Sequence, residues 1–478
     1  MLADAPRLSP NDAERLAREH FGIDGRATEL TSERDQNFLI AATDRRIVLK
    51  IANASEDRAM LDAQQRALAH LAPDLATTPR VVPAIDGSSL VAITLPNGKR
   101  HFIWAITWLD GRPLATAVRR SAELWRDFGR EIGRLDAALA DFDDPAIHRD
   151  FYWDLANGRS IVESSRHLLT DVSLRSALDR LIDKFDERTA PRLADLPRAA
   201  IHNDLNDHNV LVGADDDVER SGQRIAGIVD FGDMVHSYRV GNLAVAIAYA
   251  ILGAPDPLTV ASAIVRGYST ELELSSAELE ALYGLVALRL CASACIAAEQ
   301  TRQRPDNAYL AVSQALIRQT LPLLADIPFK LAQAVLRDAA GVCAVPASER
   351  LTAFLSRATI APVLGVDLRH EPAIVLDLSV DSFLIGGDEH DNAEPRLTSR
   401  VFDVMRDAGV RVAVGRYNEP RLLYVAREFA LGPRLTDERR TIHIGLDLFA
   451  AAGTPVFAPL PGVIHAFADN RSTRTTAR

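Results

Sequence analysis

Residues 37–53, NFLIAATDRRIVLKIAN, alternate apolar and polar positions on either side of Thr43 and Asp44, which predicts two short strands joined by a turn. In the second strand Ile47, Leu49 and Ile51 share one face, while Val48 and Lys50 share the other. The next stretch, 55–71, places Leu61, Gln64, Leu68 and Leu71 at helical spacing. Residues 88–108 read as a hairpin with Asn97-Gly98 at its tip, where positive φ is needed, and DGRP at 110–113 interrupts the pattern as a connector between lobes would. From about 117 to 340 the spacing becomes mainly helical. Leu124, Phe128, Leu135 and Leu139 mark one long amphipathic helix, and a strand pair around 201–233 is embedded among the helices. The pattern predicts an α+β chain in which a small β-rich lobe precedes a larger α-rich one.

Residues 345–478 differ. A strand is expected in HEPAIVLDLSV (370–380), a helix in LTSRVFDVMRDAGV ending at Gly409, and further strands in RVAVGRYN, RLLYVAREF and TPVFAPLPGVIHAFA, giving a separate α/β or β-rich region.

A chain of 478 residues, 47% hydrophobic and 25% charged, is a globular protein of several domains. Its net charge of −11 argues against nucleic-acid or anionic-membrane partners and suits a cationic small molecule. Three cysteines make no disulfide framework; Cys291 and Cys295 share a helix face and are expected to be buried thiols. The N-terminus has no secretory pattern, and the apolar run NLAVAIAYAILGA (242–254) is too short to span a bilayer. A cytoplasmic location follows as an expectation.

The stretch IHNDLNDHNVLV (201–212) holds more polar groups than a turn requires, because one Asp or Asn suffices for its backbone. His202, Asp204 and Asn209 form H-x-D-x-x-x-x-N, followed by IVDFGD with Asp230. Phosphoryl transfer needs a base at the attacking hydroxyl, oxygen ligands for Mg²⁺ and a cation on the phosphates. Asp204 suits the first role, Asn209 and Asp230 the second, and Lys50 the third.

This constellation resembles the aminoglycoside phosphotransferase family over roughly residues 10–335, with 202–209 and DFGD at 230–233 as its anchors. The resemblance implies a protein-kinase-like bilobal fold over 1–340, with an N-lobe of about 10–109 and a C-lobe of about 114–340, and ATP or GTP with Mg²⁺ as cofactors. It implies Lys50 on the phosphates, Asp204 as base, Asn209 and Asp230 as metal ligands, and His202 as a brace of the turn. Trp108 and Leu109 would then lie beside the nucleotide base. The chain departs from the pattern twice. The phosphate-covering loop TSERDQNF (31–38) has no glycine, so Ser32 and the backbone would approach the phosphates. The helix that offers a glutamate to the strand lysine presents Gln64, with Glu56 and Asp62 as alternatives. SERDQNF, VLKIAN, FYWDLANG (151–158) and DFGDMVHS are most similar to hydroxylysine kinases, which implies a hydroxylated amine as acceptor, its ammonium paired with Asp154 or Asp207. Aminoglycosides, choline, ethanolamine and homoserine are the other acceptors compatible with the residues.

A second, shorter stretch, HIGLD with GTPV at 443–456, resembles the opening of an M23 (LytM-like) metallopeptidase domain, in which His443 and Asp447 would bind Zn²⁺. The chain is read as a 345–435 α/β linking region and an incomplete M23-like segment at 436–478, without the later H-x-H pair. His465 is the remaining histidine offered as a third ligand, and an intact peptidase is not expected. Such kinase-like regions occur fused to an M23-like domain and a class III aminotransferase, so fusion to further domains is an expectation. GGDEH (386–390) matches a cyclase signature by chance.

Overall fold

Ser9 caps the first helix by accepting from the Asp12 N–H while Asp12 accepts from the Ser9 N–H, a reciprocal box with Pro10 at the first helical position. This helix, α1 (Pro10–Phe21), opens a computed structural model that describes residues 6–32, 34–95, 98–213, 224–303, 312–379, 382–385, 392, 395–421 and 441–464. The chain divides into two compact units, Met1–Pro346 and Ala347–Arg478.

In the first unit, β1 (Gly25–Leu30), β2 (Gln36–Ala42) and β3 (Arg46–Ile51) run antiparallel, followed by α2 (Arg58–Leu71). Strands β4 (Val81–Val82), β5 (Val91–Thr94) and β6 (Arg100–Thr107) complete a six-stranded sheet in the order β1-β2-β3-β6-β4, with β5 also on β6. Ile47, Leu49 and Ile51 are buried against α1 together with Phe38 and Ile40, as the alternation predicts. Each such side chain contributes roughly 1.5–3 kcal/mol by leaving water. Opposite them, the register aligns Asn37 with Lys50 and Lys50 with Trp104 on the other face. Met60, Ala63, Ala67 and Leu68 of α2 join Trp104 in the larger core. Gly98 has φ +79 at the β5–β6 hairpin; Asn97 lies outside the described residues.

DGRP is more than a connector, because Arg112–Pro113 form a short strand, β7, which pairs with a strand that leaves the polar turn. The helical lobe contains α3 (Ala122–Ala138), α4 (Leu155–Ser165) and α5 (Val172–Arg188). Then come β8 (Arg198–Ile201), β9 (Val210–Val212), β10 (Ile225–Ile228) and β11 (Val235–Tyr238). Two small antiparallel sheets result, β10-β9-β7 and β11-β8, and the polar turn and DFGD connect them. Helices α6 (Arg239–Ala250), α7 (Pro257–Tyr268), α8 (Ser276–Gln303), α9 (Val312–Asp326) and α10 (Phe329–Ala339) follow. Helix α8 is apolar and long enough to cross a membrane, but 94% of its apolar window is buried within the fold, including Cys291 and Cys295. Helices α3 and α7 cross at glycines: a Cβ on Gly129 would lie 1.8 Å from the Ile264 carbonyl oxygen, and one on Gly267 1.9 Å from that of Arg126.

In the second unit, α11 (Pro346–Leu355) begins at the boundary, and β12 (Ala373–Leu376), α12 (Arg396–Asp407), β13 (Val412–Gly415), β14 (Glu419–Pro420), β15 (Ile442–His443) and β16 (Asp447–Phe449) follow. Strand β12 is parallel to β13, and β13 antiparallel to β16. The helix terminates where expected, with Gly409 at φ +65. The expected strand pair at TPVFAPLPGVI is not present: residues 454–464 form no strand. Pro455, Pro459 and Pro461 lack amide donors; among the described residues, Phe457 N–H to Val363 O and Ala361 N–H to Pro459 O tie this stretch to a neighbour. RLLYVAREF past Arg421, GGDEH and His465 lie outside the described residues.

Candidate active site

The polar turn between β8 and β9 and the DFGD turn between β10 and β11 lie side by side, each with one residue in the left-handed region: Asn203 at φ 67 and Asp230 at φ 65. Asn and Asp tolerate this conformation better than other residues with a Cβ. His202, fully buried, joins the turns. Its Nδ1 accepts the Asp204 N–H at 3.3 Å, so Nε2 carries the proton and donates to the Val229 carbonyl at 3.0 Å. Burial keeps this imidazole below its ordinary pKa, and its ring meets Phe231 edge-on at 4.6 Å. Part of the polar surplus is turn chemistry, since Asn206 Oδ1 accepts the His208 and Asn209 N–H groups.

The remainder converges on Asp204 and Asp230. Asn209 Nδ2 donates to Asp204 Oδ2 at 2.7 Å and to the Asp204 carbonyl at 3.0 Å, and Asn206 Nδ2 lies 3.0 Å from both carboxylate oxygens. Lys50, 7% exposed at the centre of the sheet, places Nζ 3.4 Å from Asp230 Oδ1 and 5.2 Å from the centre of the Trp104 ring. Lys50 holds the Asp230 carboxyl below the usual range against the opposing effect of burial. For Asp204, burial reinforced by the charge of Asp233 pushes the pKa up to about 7, while Arg289 pulls the other way.

Asn203 is fixed from behind. Its N–H donates to Asn242 Oδ1 on α6 at 3.1 Å; Asn242 Nδ2 donates to Asp136 Oδ1 on α3 at 2.6 Å; Tyr268 on α7 donates to Asp136 Oδ2 at 2.9 Å. The glycine crossing of α3 and α7 permits this last approach. Arg149 Nη2 braces the second turn by donating to the Gly232 and Met234 carbonyls, with its guanidinium 4.2 Å from the Phe151 ring centre.

The other sequence-derived candidates make contacts of their own. Gln64 is buried in α2 but is not the partner of Lys50; the counter-charge comes from Asp230, which an amide could not supply. Asp62 pairs with Arg58 at 3.5 Å, and Glu56 sits among Asp35, Arg34 and Arg149. Asp154 is not poised for an ammonium: it caps α4 through the Ala156 N–H, accepts from Ser237 Oγ at 2.5 Å and is buried. Asp207 faces Arg120 at 3.9 Å, which already supplies a cation. Ser32 is exposed in its loop. Trp108 donates to Asp110 Oδ1 at 3.1 Å beside Arg46, and Leu109 packs on Gly227 against the strands that flank the turns.

Two residues escaped the sequence reading. Arg34 pairs with Asp233 at 2.5 Å. Arg289, 3% exposed on α8, lies 3.7 Å from Asp204 Oδ1, donates to the Trp153 carbonyl at 2.7 Å and stacks 4.7 Å from the Trp153 ring. A lone charge in LVALRLCASACIAA was a legible signal for the second.

In the second unit His443 Nε2 and Asp447 Oδ2 come within 3.4 Å. The same Asp447 oxygen accepts from Arg421 Nη1 at 2.6 Å, and Arg421 Nε donates to Glu419 at 2.8 Å. A buried guanidinium on the would-be ligand does not fit Zn²⁺.

A family model described as the phosphotransferase enzyme family matches residues 26–285. The chain is 29% identical to the hydroxylysine kinase of Mus musculus over 321 residues, covering 63% of this chain and 85% of that one. It is 28% identical to the hydroxylysine kinase of Danio rerio over 313 residues, covering 63% and 87%. A solved amicoumacin kinase, in complex with AMP-PNP, Ca²⁺ and its ligand, superposes with a TM-score of 0.51 at 15% identity, covering 67% of this chain and 96% of that one, which establishes the bilobal kinase-like fold.

Proposed function

We propose that this chain, which belongs to the phosphotransferase enzyme family and transfers phosphate to an alcohol group, phosphorylates the hydroxyl of an amino alcohol of the hydroxylysine type, with ATP or GTP as donor. The observation that carries this reading is the meeting of Lys50 with Asp230 and of Asp204 with Asn209 in adjoining turns held together by His202.

Asp204 is the base. Once ionised, it accepts the proton of the attacking hydroxyl, and Asn206 and Asn209 orient the carboxylate. The chemistry of the donors suits Mg²⁺: Asn209 commits Nδ2 to Asp204, which leaves Oδ1, and Asp230 offers a half-exposed carboxylate that Lys50 keeps ionised. Bound Mg²⁺ and nucleotide would supply a charge-compensated phosphoryl group for transfer. Lys50 neutralises phosphate charge from the sheet side.

The direct test is a transfer screen of amino alcohols with both nucleotides, followed by acceptor-dependent formation of nucleoside diphosphate and by mass spectrometry of the phosphorylated product. Hydroxylysine should be phosphorylated; failure of every hydroxylated amine to accept phosphate would remove the reading. For the second unit, His443 approaches Asp447, but Arg421 holds the same carboxylate oxygen, so no zinc chemistry is proposed there.

A further inference from the structure

The loop that should cover the phosphates, TSERDQNF, has no glycine, so every residue brings a Cβ and close approach of its backbone amides to phosphate is harder than in a glycine-rich loop. A side-chain donor from the same loop would strengthen that contact. The course of the loop is set by Asn53, which is buried just beyond β3. Asn53 Nδ2 donates to the Arg34 carbonyl at 3.1 Å, and the Asn53 N–H donates to Asp35 Oδ1 at 3.0 Å. Arg34 is therefore tied to the strand that carries Lys50. Its side chain, 38% exposed, leaves the sheet and reaches the DFGD turn, where Nη2 meets Asp233 Oδ1. Its charge also acts on Glu56 and Asp230, so Lys50 and Arg34 both bear on the carboxylate assigned to Mg²⁺.

We propose that Arg34 is a phosphate-contacting residue that exchanges Asp233 for phosphate oxygens when a nucleotide enters the cleft. The proposal rests on the nucleotide reading of this pocket. Asp233 is a single carboxylate in a crowded set, and its charge already opposes ionisation of Asp204. A triphosphate brings more negative charge and presents paired oxygens that match the guanidinium fork. No covalent step is involved; one ion pair replaces another. In the glycine-free loop, a side chain on a backbone pinned by Asn53 adds a cationic donor for the phosphates.

The test titrates a fluorescent nucleoside triphosphate, and separately adenosine or guanosine, into wild type, Arg34→Gln, Arg34→Lys and Asp233→Asn in the presence of Mg²⁺. Arg34→Gln should weaken triphosphate binding by about tenfold or more, with nucleoside binding unchanged as the sign of an intact fold. Arg34→Lys should retain part of the loss, and Asp233→Asn should leave triphosphate binding equal or tighter, because a competitor for Arg34 is gone. Triphosphate affinity of Arg34→Gln within about twofold of wild type, or equal weakening by Arg34→Gln and Asp233→Asn, would overturn the proposal and leave the pair as a latch between loops. Absence of triphosphate binding by wild type would instead remove the nucleotide reading beneath it.

Discussion

Lys50 Nζ lies 3.4 Å from Asp230 Oδ1, joining a sheet strand to a turn 180 positions further along the chain. Each partner has a distinct expected role in holding the donor. Asp230→Ala should abolish the Mg²⁺ dependence of nucleotide binding, and Lys50→Met should weaken binding by roughly tenfold while leaving that dependence in place. Calorimetric titrations with and without EDTA distinguish the two. Equal behaviour of both variants contradicts the division of roles.

Asp204 must be ionised to accept a proton. Burial and the Asp233 charge raise its pKa to about 7 in the free protein, so kcat/KM for the acceptor should climb as pH rises through about 7 and level off above it. Arg289 favours the ionised form, so Arg289→Met should move the rising limb to higher pH. A kcat/KM–pH profile of both proteins checks this; coincident limbs would show that Arg289 has no influence on the base.

Asn242 satisfies the Asn203 N–H and donates to Asp136 in a fully buried network. Asn242→Ala should cost about 2–4 kcal/mol, since it orphans groups on both sides. Asn203→Gly should be tolerated better than Asn203→Val, because φ at that position is positive. Urea unfolding measures both. A cost below about 0.5 kcal/mol for Asn242→Ala would mean that water replaces the lost bonds.

In the second unit, Arg421 neutralises the buried Glu419 and reaches Asp447. Arg421→Met should destabilise that unit by about 1–3 kcal/mol, because it removes one of the two guanidinium partners of the buried Glu419 while Arg416 keeps its own contact at 2.8 Å. Hydrogen exchange of the β13 amides reads the loss. Metal analysis should find no stoichiometric zinc, and zinc that is lost on His443→Ala would reverse that expectation.

The parts of the fold legible in the sequence are those where period and chemistry agree. Ile47, Leu49 and Ile51 alternate because the strand buries one face, and Lys50 is thereby sent to the cleft. Gly409 ends its helix because left-handed φ is cheap for glycine. The turn at 202–209 stood out because it holds more polar groups than its backbone needs. Partners chosen in three dimensions were not legible. Gln64 lies at the right helical position, yet Lys50 finds its counter-charge on Asp230, far away in sequence. Asp154 looked like a ligand carboxylate, but the Ala156 N–H and the Ser237 hydroxyl occupy it, and cap geometry does not distinguish a capping Asp from a binding one before folding. The TPVFAPLPGVI stretch has strand-like composition, but three prolines remove the amides a ladder requires.

The most direct measurement compares wild type with Asp204→Ala for phosphate transfer from ATP or GTP to hydroxylysine, with nucleotide affinity measured on the same preparations. A loss of turnover by about 10²–10⁴-fold with nucleotide affinity changed less than about twofold is the predicted result. Transfer by Asp204→Ala at the wild-type rate would contradict the assignment of this pocket.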